Sequence, residues 1–413
     1  MLLEFRVSNY RSILNEQVLN LVAAKDPTKL ENCSPTGLSG LPYVVRSAAI
    51  YGPNASGKSN LVRALGFFQS VVKLSAKNMT EGDAFDFEPF RFAEDQAEVP
   101  TEMEVTFVEA GVRYQYGFRL DRERVHEEWL LVYKSRKPQE WFLRQFDAQT
   151  QKDEYSFGSY LTGERKLWQR STRANALFLS TAVQLNSEQL RPVFQWIVER
   201  LSILSSTSPA ATIDLLEDES GKQAVLELLA EADLGIKDAR VHRVPMPDAV
   251  LRRIERMIPG ELREGWQPQH TRVELEHQAI LQDGKTILAS LPLEEESLGT
   301  FRLFSLVAPF LDALKQGNVL VVDELDRSLH PLLTRFLVSR FHKRNESGAQ
   351  LIFTTHTTSL LDQDWLRRDQ VFLVDKDRNL ASRIYPLTDI QVRKNAPLEK
   401  IYLHGRLGAT PVL

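Results

Sequence analysis

The 413-residue sequence has little cysteine, no long apolar run and no large excess of charge. Its single cysteine, Cys33, excludes an intramolecular disulfide and a cysteine-based metal cluster, as suits a reducing compartment. No apolar run reaches the roughly 18 residues of a membrane helix, and the first residues lack a signal-peptide pattern. With 51 basic and 55 acidic side chains, no overall basic character points to nucleic acid. We therefore expect a cytoplasmic protein without a membrane segment.

What the chain does have is the composition of a folded protein. Apolar residues make up 43% and charged residues 26%, which argues against extensive disorder. The length exceeds what one hydrophobic core usually spans. The sequence therefore predicts a main domain with insertions.

Two patterns in the first half predict strands. Residues 2–7 alternate apolar and polar side chains, and residues 47–51 form a short apolar run before a glycine-rich loop. Residues 103–118 alternate around a turn at Gly111, which is typical of an antiparallel hairpin. Residues 129–133 and 141–146 extend it, so we expect an antiparallel β subdomain over 101–180.

The second half predicts helices and then a buried parallel sheet. Residues 176–179 are a further candidate strand, after which the period becomes helical to about residue 262, without sustained heptads. This indicates a compact helical insertion over 181–269 and no long coiled coil. Apolar runs at 319–322, 351–353 and 371–374, with a helix over 331–344, are typical of strands in a parallel sheet. Residues 1–100 and 270–413 are the predicted core.

The segment Gly52-Pro53-Asn54-Ala55-Ser56-Gly57-Lys58-Ser59 fits the phosphate-loop pattern GxxxxGK[ST] between a strand and a helix. Its glycines let the backbone curl so that N–H groups and a helix N-terminus face phosphates. We expect Lys58 to hold the β and γ phosphates and Ser59 to bind magnesium. The candidate nucleotide-binding residues are Gly52, Pro53, Asn54, Ala55, Ser56, Gly57, Lys58, Ser59 and Asn60.

Two carboxylates follow the apolar run 319–322. The carboxyl end of such a strand is where open α/β sheets bind ligands. Asp323 is the candidate magnesium anchor, and Glu324 is the candidate base for the water that attacks the γ-phosphate. The alternative is a surface loop that happens to begin with two acids.

The spacing of these motifs resembles one branch of P-loop proteins. The acids lie at 323–324, far beyond Lys58, and are followed by Leu325-Asp326-Arg327-Ser328-Leu329-His330-Pro331 and by Thr354-Thr355-His356. These segments resemble the D-loop and switch histidine of ABC-type ATPases. The opening residues 5–12 and closing residues 402–409 are similar to those of the SMC, RecF and OLD branch. The likeness is greatest to stand-alone ABC-like ATP-binding proteins of prokaryotic defence loci.

The resemblance implies roles for further residues. Ser297, Gly299 and Thr300 stand where the family has a signature motif that contacts the nucleotide of a second subunit, although an ordinary helix cap gives the same pattern. By the same resemblance, His356 hydrogen-bonds the γ-phosphate, and Asp326 couples the two sites.

Two more candidates carry weaker signals. Gln184 takes the place of a family glutamine that reaches magnesium or water. Arg11 is a candidate near the phosphate, with a solvated surface arginine as the equal alternative.

The implied fold is α/β: an ABC-type P-loop ATPase head with an antiparallel β subdomain and a compact helical insertion. The implied cofactors are ATP and Mg²⁺. The implied activity is ATP hydrolysis by a homodimer closed through its ATP sites, with larger assemblies left open. It would sense nucleic acid or a phage product and control a separate effector, a nuclease or toxin, in anti-phage defence.

Several other functions stay open. They are a RecF-like DNA repair ATPase, the nucleotide-binding subunit of a transporter, and an ATP-binding scaffold without turnover; Glu324 argues against the scaffold. Asp375-Lys376-Asp377 imitates the acids of a Toprim nuclease, but too little chain follows for that domain, so we expect a turn there. The basic stretches 240–243, 252–256 and 367–368 form either a phosphate-contacting surface or solvated faces.

Overall fold

The computed structural model describes residues 1–93, 96, 98–204, 207–245, 269–280, 282, 284–393 and 396–410. The strands in chain order are β1 (Leu2–Ser8), β2 (Gln17–Asn20), β3 (Cys33–Leu38), β4 (Leu41–Val45), β5 (Ser47–Tyr51), β6 (Thr101–Glu109), β7 (Val112–Leu120), β8 (Val125–Tyr133), β9 (Gln139–Asp147), β10 (Lys152–Phe157), β11 (Leu201–Leu204), β12 (Ile236–Pro245), β13 (Gln269–Ile280), β14 (Thr286–Pro292), β15 (Val319–Val322), β16 (Gln350–Thr354), β17 (Val371–Lys376) and β18 (Ser382–Pro386). The α-helices are α1 (Lys58–Leu74), α2 (Arg165–Ser171), α3 (Phe178–Gln184), α4 (Arg191–Gln195), α5 (Ala210–Leu215), α6 (Glu219–Glu231), α7 (Leu298–Gln316), α8 (Pro331–Lys343) and α9 (Leu398–Leu403).

The chain divides into two compact units. The first contains residues 1–206, 312–326 and 334–413, and the second contains residues 207–311 and 327–333.

Two large sheets build the first unit. An antiparallel sheet has the strand order β10-β9-β8-β7-β6-β1-β2, and a second sheet has the order β11-β15-β16-β5-β17-β18. In the second sheet β11, β15, β16, β5 and β17 are parallel, and β18 pairs antiparallel to β17. The fully buried strands β5, β15 and β16 explain the unbroken apolar runs in the sequence.

Helix α1 packs in the core that both sheets share. Its residue Phe68 stacks on Phe118 of β7, with ring centroids 5.1 Å apart, and meets Phe5 of β1 edge to face. Leu61 and Leu65 of the same helix belong to one hydrophobic cluster with residues of β15 and β16. Because α1 is packed against strands of both sheets, the position of the loop that precedes it is fixed.

The second unit holds the antiparallel sheet β12-β13-β14 together with α5 and α6. Asp218 caps α6 by accepting a hydrogen bond from the Gly221 amide at 3.0 Å. Thr212 of α5 donates to the Phe304 carbonyl at 2.8 Å, which ties α5 to the part of α7 that belongs to this unit.

Most predicted elements are confirmed. The strands at 2–7, 47–51, 319–322, 351–353 and 371–374 are present, as are the hairpin around Gly111 and the helix from Pro331. The α/β class with an antiparallel sheet is confirmed, and no long coiled coil occurs in the described part of the chain. The strands expected as a separate β subdomain continue the sheet of β1, since Phe5 pairs with Val105.

Two secondary-structure predictions are wrong. Residues 176–179 do not form a strand: α3 begins at Phe178, because the buried Glu128 carboxylate accepts hydrogen bonds from the Phe178 and Leu179 amides at 2.6 and 2.9 Å. The predicted helical insertion contains helices up to Glu231, but it also contains strands. Residues 201–204 form β11 because they pair in parallel with β15, and residues 236–245 form β12 because they pair along their length with β13. The rest of that insertion up to residue 268 lies outside the described residues.

Among the described residues, no helix is long and apolar enough to cross a membrane. The apolar stretch 303–314 lies inside α7, which includes Pro309, and most of its side chains are buried.

Candidate nucleotide-binding site

The phosphate loop joins β5 to α1 and depends on close backbone packing. A Cβ at Gly52 would collide with the Val374 carbonyl, and Gly57 has φ of +109°. A Cβ at Gly57 would collide with Ser382 Oγ. Both positions therefore need glycine for reasons visible in the structure.

Three polar side chains support the loop from behind. The hydroxyls of Ser12 and Ser382 share a hydrogen bond of 2.7 Å, and Ser382 Oγ also donates to the Ser56 carbonyl at 2.6 Å. Asn60 Nδ2 donates to Ser12 Oγ at 2.7 Å. Asn60, a predicted nucleotide-binding residue, thus joins the loop to the N-terminal segment.

Lys58 begins α1 and points into the loop. Its ammonium donates to the carbonyls of Gly52 at 2.7 Å and Pro53 at 3.0 Å. Loss of solvent lowers the pKa of Lys58, and the three carboxylates of the 323–326 segment partly offset this. The loop therefore places a cation beside the amides at the start of a 17-residue helix.

Ser59 and Asp323, the two residues expected to hold magnesium, lie within hydrogen-bond distance of each other. Ser59 Oγ donates to Asp323 Oδ1 at 3.1 Å, although the two residues lie on different elements. Thr354, at the end of β16, donates to the same oxygen at 2.7 Å and accepts from the Glu324 amide at 2.7 Å. One buried hydroxyl thus orients both acids.

The backbone of Glu324 is unusual. Its φ is +50°, in the left-handed region that residues with a side chain rarely adopt. Such a conformation costs on the order of 1 kcal/mol and persists only where surrounding contacts enforce it. Here the hydrogen bond from the Glu324 amide to Thr354 Oγ1 is one of the contacts that hold this conformation.

His356 and Asp326 lie on neighbouring loops and are joined. The Asp326 carboxylate accepts from the His356 amide at 2.8 Å and from Thr357 Oγ1 at 3.0 Å. The His356 ring is exposed. Partial desolvation and then the Lys58 charge lower the pKa of His356, against the opposing effect of Asp326 and Glu324. A neutral ring at this place can accept or donate a hydrogen bond.

Arg11 and Gln184 are placed away from these contacts. The Arg11 guanidinium forms an ion pair with Glu88 at 2.5 Å, and its amide donates to the Glu88 carbonyl. Gln184 is exposed at the end of α3, and its side chain has no hydrogen bond to the phosphate loop or Asp323 among the described residues. Their roles at a nucleotide stay predictions.

The signature segment lies in the second unit, at the start of α7. Ser297 Oγ accepts from the Thr300 amide at 3.1 Å and bonds Thr300 Oγ1 at 2.9 Å, so it caps the helix. A Cβ at Gly299 would stand 2.9 Å from the Ser328 carbonyl, which explains the glycine. Leu298, between them, is 76% exposed.

The sequence analysis missed Thr354 and the serine pair. Thr354 is fully buried and contacts both acids, yet the sequence shows it only as the residue two before His356. Ser12 and Ser382 are far apart along the chain and carry no motif of their own. Only their hydrogen bond beneath Gly57 reveals that they support the loop.

The donor set fits ATP with magnesium. The Ser59 hydroxyl and an Asp323 carboxylate oxygen lie 3.1 Å apart, and such hard oxygen ligands suit Mg²⁺. Ser56 Oγ is enclosed and has no hydrogen-bond partner in the described part of the chain, so it is available to a phosphate oxygen.

The predicted acids at 375–377 form a strand end and turn, as expected. Asp377 Oδ1 accepts from the amides of Asn379 and Ala381, and Tyr385 donates to Asp375 at 3.0 Å. Two basic stretches make contacts within the protein. Arg367 is buried against Asp369. In the stretch 240–243, Arg240 lies against Glu276, His242 against Glu274 and Arg243 against Glu217. The stretch 252–256 lies outside the described residues.

Comparisons with known proteins give a family and two similar folds. Residues 47–362 match the family described as "AAA domain, putative AbiEii toxin, Type IV TA system". No curated protein matches the chain. One similar solved structure is an SMC head bound to the C-winged helix domain of ScpA, with 12% identity over 93% of this chain and 97% of that chain and a TM-score of 0.43. Another is the SMC head domain from Thermotoga maritima, with 14% identity over 95% of this chain and 99% of that chain and a TM-score of 0.43.

The family match covers the phosphate loop, both acids and His356, and it agrees with the resemblance read from the motifs. The chain belongs to an AAA/ABC-type family of P-loop ATPases, the family described as a putative AbiEii toxin of type IV toxin–antitoxin systems.

Proposed function

We propose that this protein is an ATP-hydrolysing switch that closes as a homodimer around ATP and controls a separate effector in anti-phage defence. The observation that carries the proposal is the buried link from Ser59 through Asp323 to Thr354 and the Glu324 amide. It joins the phosphate loop to both acids at one edge of the parallel sheet. A surface loop that begins with two acids by accident would not need such a link.

Each side chain has a definite task in this proposal. Lys58 exchanges its bonds to the loop carbonyls for phosphate oxygens, and Ser59 with Asp323 would hold magnesium, which when bound neutralises phosphate charge. Glu324 orients a water and accepts its proton. His356, held through its amide by Asp326, contacts the phosphate that is lost on hydrolysis.

The start of α7 supports the dimer. A 19-residue helix carries a partial positive charge at its N-terminus. Next to the Ser297 cap, Leu298 is almost fully exposed, and an apolar side chain in that position suits contact with a second subunit. In the proposed dimer, Ser297, Gly299 and Thr300 meet the nucleotide bound by the partner.

The switch follows from contacts made on both sides of the γ-phosphate. Hydrolysis removes contacts that only the closed dimer makes, so the population shifts toward the open state. The proposed trigger is nucleic acid or another phage product, and the proposed effector is a nuclease or toxin. The family is described as a putative toxin of type IV toxin–antitoxin systems, and this description supports a paired partner.

The test measures ATP turnover against protein concentration, and particle mass with and without ATP and Mg²⁺. We compare the wild type with Lys58→Ala and Glu324→Gln. Exposed residues of the same unit supply the matched controls Lys73→Ala and Glu346→Gln.

We expect both site variants to lose turnover by about a hundredfold or more, because Glu324→Gln removes the general base and Lys58→Ala removes a cation from the phosphates. Glu324→Gln should form an ATP-dependent dimer, Lys58→Ala should stay monomeric, and the controls should behave as wild type. A wild type with no turnover and no ATP-dependent change in mass would contradict the proposal.

A further inference from the structure

Three hairpin turns of the first unit line a cavity of about 700 Å³. We call it the turn pocket. Its lining residues are Gly37, Leu38, Ser39, Gly40, Leu41, Gly111, Arg113, Tyr133, Lys134, Ser135 and Arg136. They come from the β3–β4 turn, the β6–β7 turn and the β8–β9 turn.

The charge of the turn pocket has one sign. Arg113, Lys134 and Arg136 line it, Lys137 follows directly, and no lining residue is acidic. Burial lowers the pKa of the Met1 amine to about 5, against the opposing charge of Glu109 at the end of β6.

These cations differ from others in the same sheet. Arg119 of β7 pairs with Glu102 and Glu127, whereas Arg113 of the same strand has no carboxylate partner among the described residues. Lys134 and Lys137 likewise form no ion pair there, and Arg136 only approaches Ser39 Oγ at 3.5 Å. Four neighbouring cations thus lack counter-ions among the residues that the structure describes.

Arg113 is already oriented for binding. Its guanidinium lies 3.5 Å from the centroid of the Tyr133 ring, and the Tyr133 hydroxyl donates to Gln115 Oε1 at 2.8 Å, which fixes the ring. Arg113 Nε is enclosed and unpartnered within the described part of the chain. Phosphate matches the planar donor geometry of a guanidinium.

The backbone at three glycines of these turns is open. Gly37, Gly40 and Gly111 have positive φ, and a Cβ at any of them would meet nothing within 4 Å. Backbone at these turns is therefore open to a ligand. Turn amides beside cations are a usual setting for anions.

We propose that the turn pocket binds phosphate groups, presented either by the phosphodiester backbone of a nucleic acid or by a free nucleotide. It adds a second site to the proposed ATPase. The proposal rests on that function for its biological use, because nucleic acid is one of the expected triggers. Its test does not, since binding is measured without turnover.

The experiment uses the full chain carrying Lys58→Ala, which removes the main phosphate contact of the ATP site. A fluorescein-labelled DNA hairpin with a single-stranded tail is titrated without ATP at several salt concentrations. Inorganic tripolyphosphate serves as the free-phosphate probe and competitor.

Arg113→Gln removes the stacked cation, and Arg119→Gln is the matched control on the same strand. We expect Arg113→Gln to weaken DNA binding about tenfold and to lower the slope of log affinity against log salt by about one. Lys134→Gln with Arg136→Gln, on an exposed turn that tolerates change, should act in the same direction. Arg119→Gln should leave both quantities unchanged.

The two sources of phosphate give different results. DNA binding that tripolyphosphate displaces only at high concentration identifies a nucleic-acid strand. Tight tripolyphosphate binding without DNA binding, lost in Arg113→Gln, identifies a free nucleotide. The proposal is overturned if neither probe binds, or if Arg119→Gln weakens binding as much as Arg113→Gln. Failure of ATP turnover in the wild type would leave these measurements unaffected.

Discussion

Replacement of Thr354 by valine tests whether one buried hydroxyl organises the two acids. Thr354 Oγ1 donates to Asp323 at 2.7 Å and accepts from the Glu324 amide at 2.7 Å, and its side chain is fully buried. Valine keeps the shape and removes both hydrogen bonds. The Glu324 amide then loses the acceptor that holds its left-handed backbone conformation.

The expected magnitude follows from these two bonds. A buried amide left without its acceptor costs about 1–3 kcal/mol, and a hydrogen bond to a carboxylate contributes about 1.5–3 kcal/mol. We expect Thr354→Val to lower the free energy of unfolding by about 2 kcal/mol, since part of the loss is recovered by relaxation. Loss of an outer contact to a metal ligand typically costs about 10–100-fold in metal affinity or activity, so half-maximal turnover should require more Mg²⁺.

The assay is ATP turnover over a range of Mg²⁺ concentrations, together with urea unfolding. Thr354→Ser retains the hydroxyl and should recover most of the Mg²⁺ response. Thr334→Val is the matched control, because Thr334 is equally buried on α8 but its hydroxyl has no hydrogen-bond partner among the described residues. If Thr354→Val shows the Mg²⁺ dependence of Thr334→Val, the hydroxyl does not organise the acids and the reasoning is refuted.

Two further predictions concern the loop and the core. Gly57→Ala should destabilise the protein by about 2 kcal/mol or more and abolish ATP binding. The residue has an unfavourable φ for alanine, and the new Cβ would collide with the Ser382 and Ser12 hydroxyls. Gly82→Ala is the control: Gly82 has φ of +88° and open space around it, so this variant should show only the smaller backbone cost in thermal unfolding. Burial lowers the pKa of His342 from 6.5 to about 3, so the folded state keeps this ring neutral while the unfolded chain takes up a proton below pH about 6.5. Stability should therefore fall by about 1.4 kcal/mol per pH unit between about 6.5 and 3 on account of this residue. In His342→Gln that part of the slope should disappear in urea unfolding measured across the pH range; an unchanged slope would show that other groups cause it.

Predictions from the local sequence pattern were correct where the residues of one element are sufficient to specify its secondary structure. The run Val319–Val322 is apolar because β15 is buried on all sides, and the period-two pattern around Gly111 reports one hairpin. These predictions were wrong where a residue distant in sequence determines the secondary structure. Residues 176–179 look like a strand, but Glu128 of β8 caps them as the start of α3. Residues 236–245 carry charged side chains that obscure their alternation, and pairing with β13 makes them a strand.

The same division applies to the site. By itself, the sequence determined that a phosphate loop, two acids and a histidine each follow the carboxyl end of a buried strand. Motif spacing and apolar periodicity are local properties of the chain, so they can be read without the fold. Only the tertiary structure decided which hydroxyl orients the acids, why Gly57 must be glycine, and that Arg11 pairs with Glu88. It also decided that Arg113 has no carboxylate partner in the described part of the chain while Arg119 has two. Those facts depend on which strands lie side by side, and that is set by packing between residues far apart in sequence.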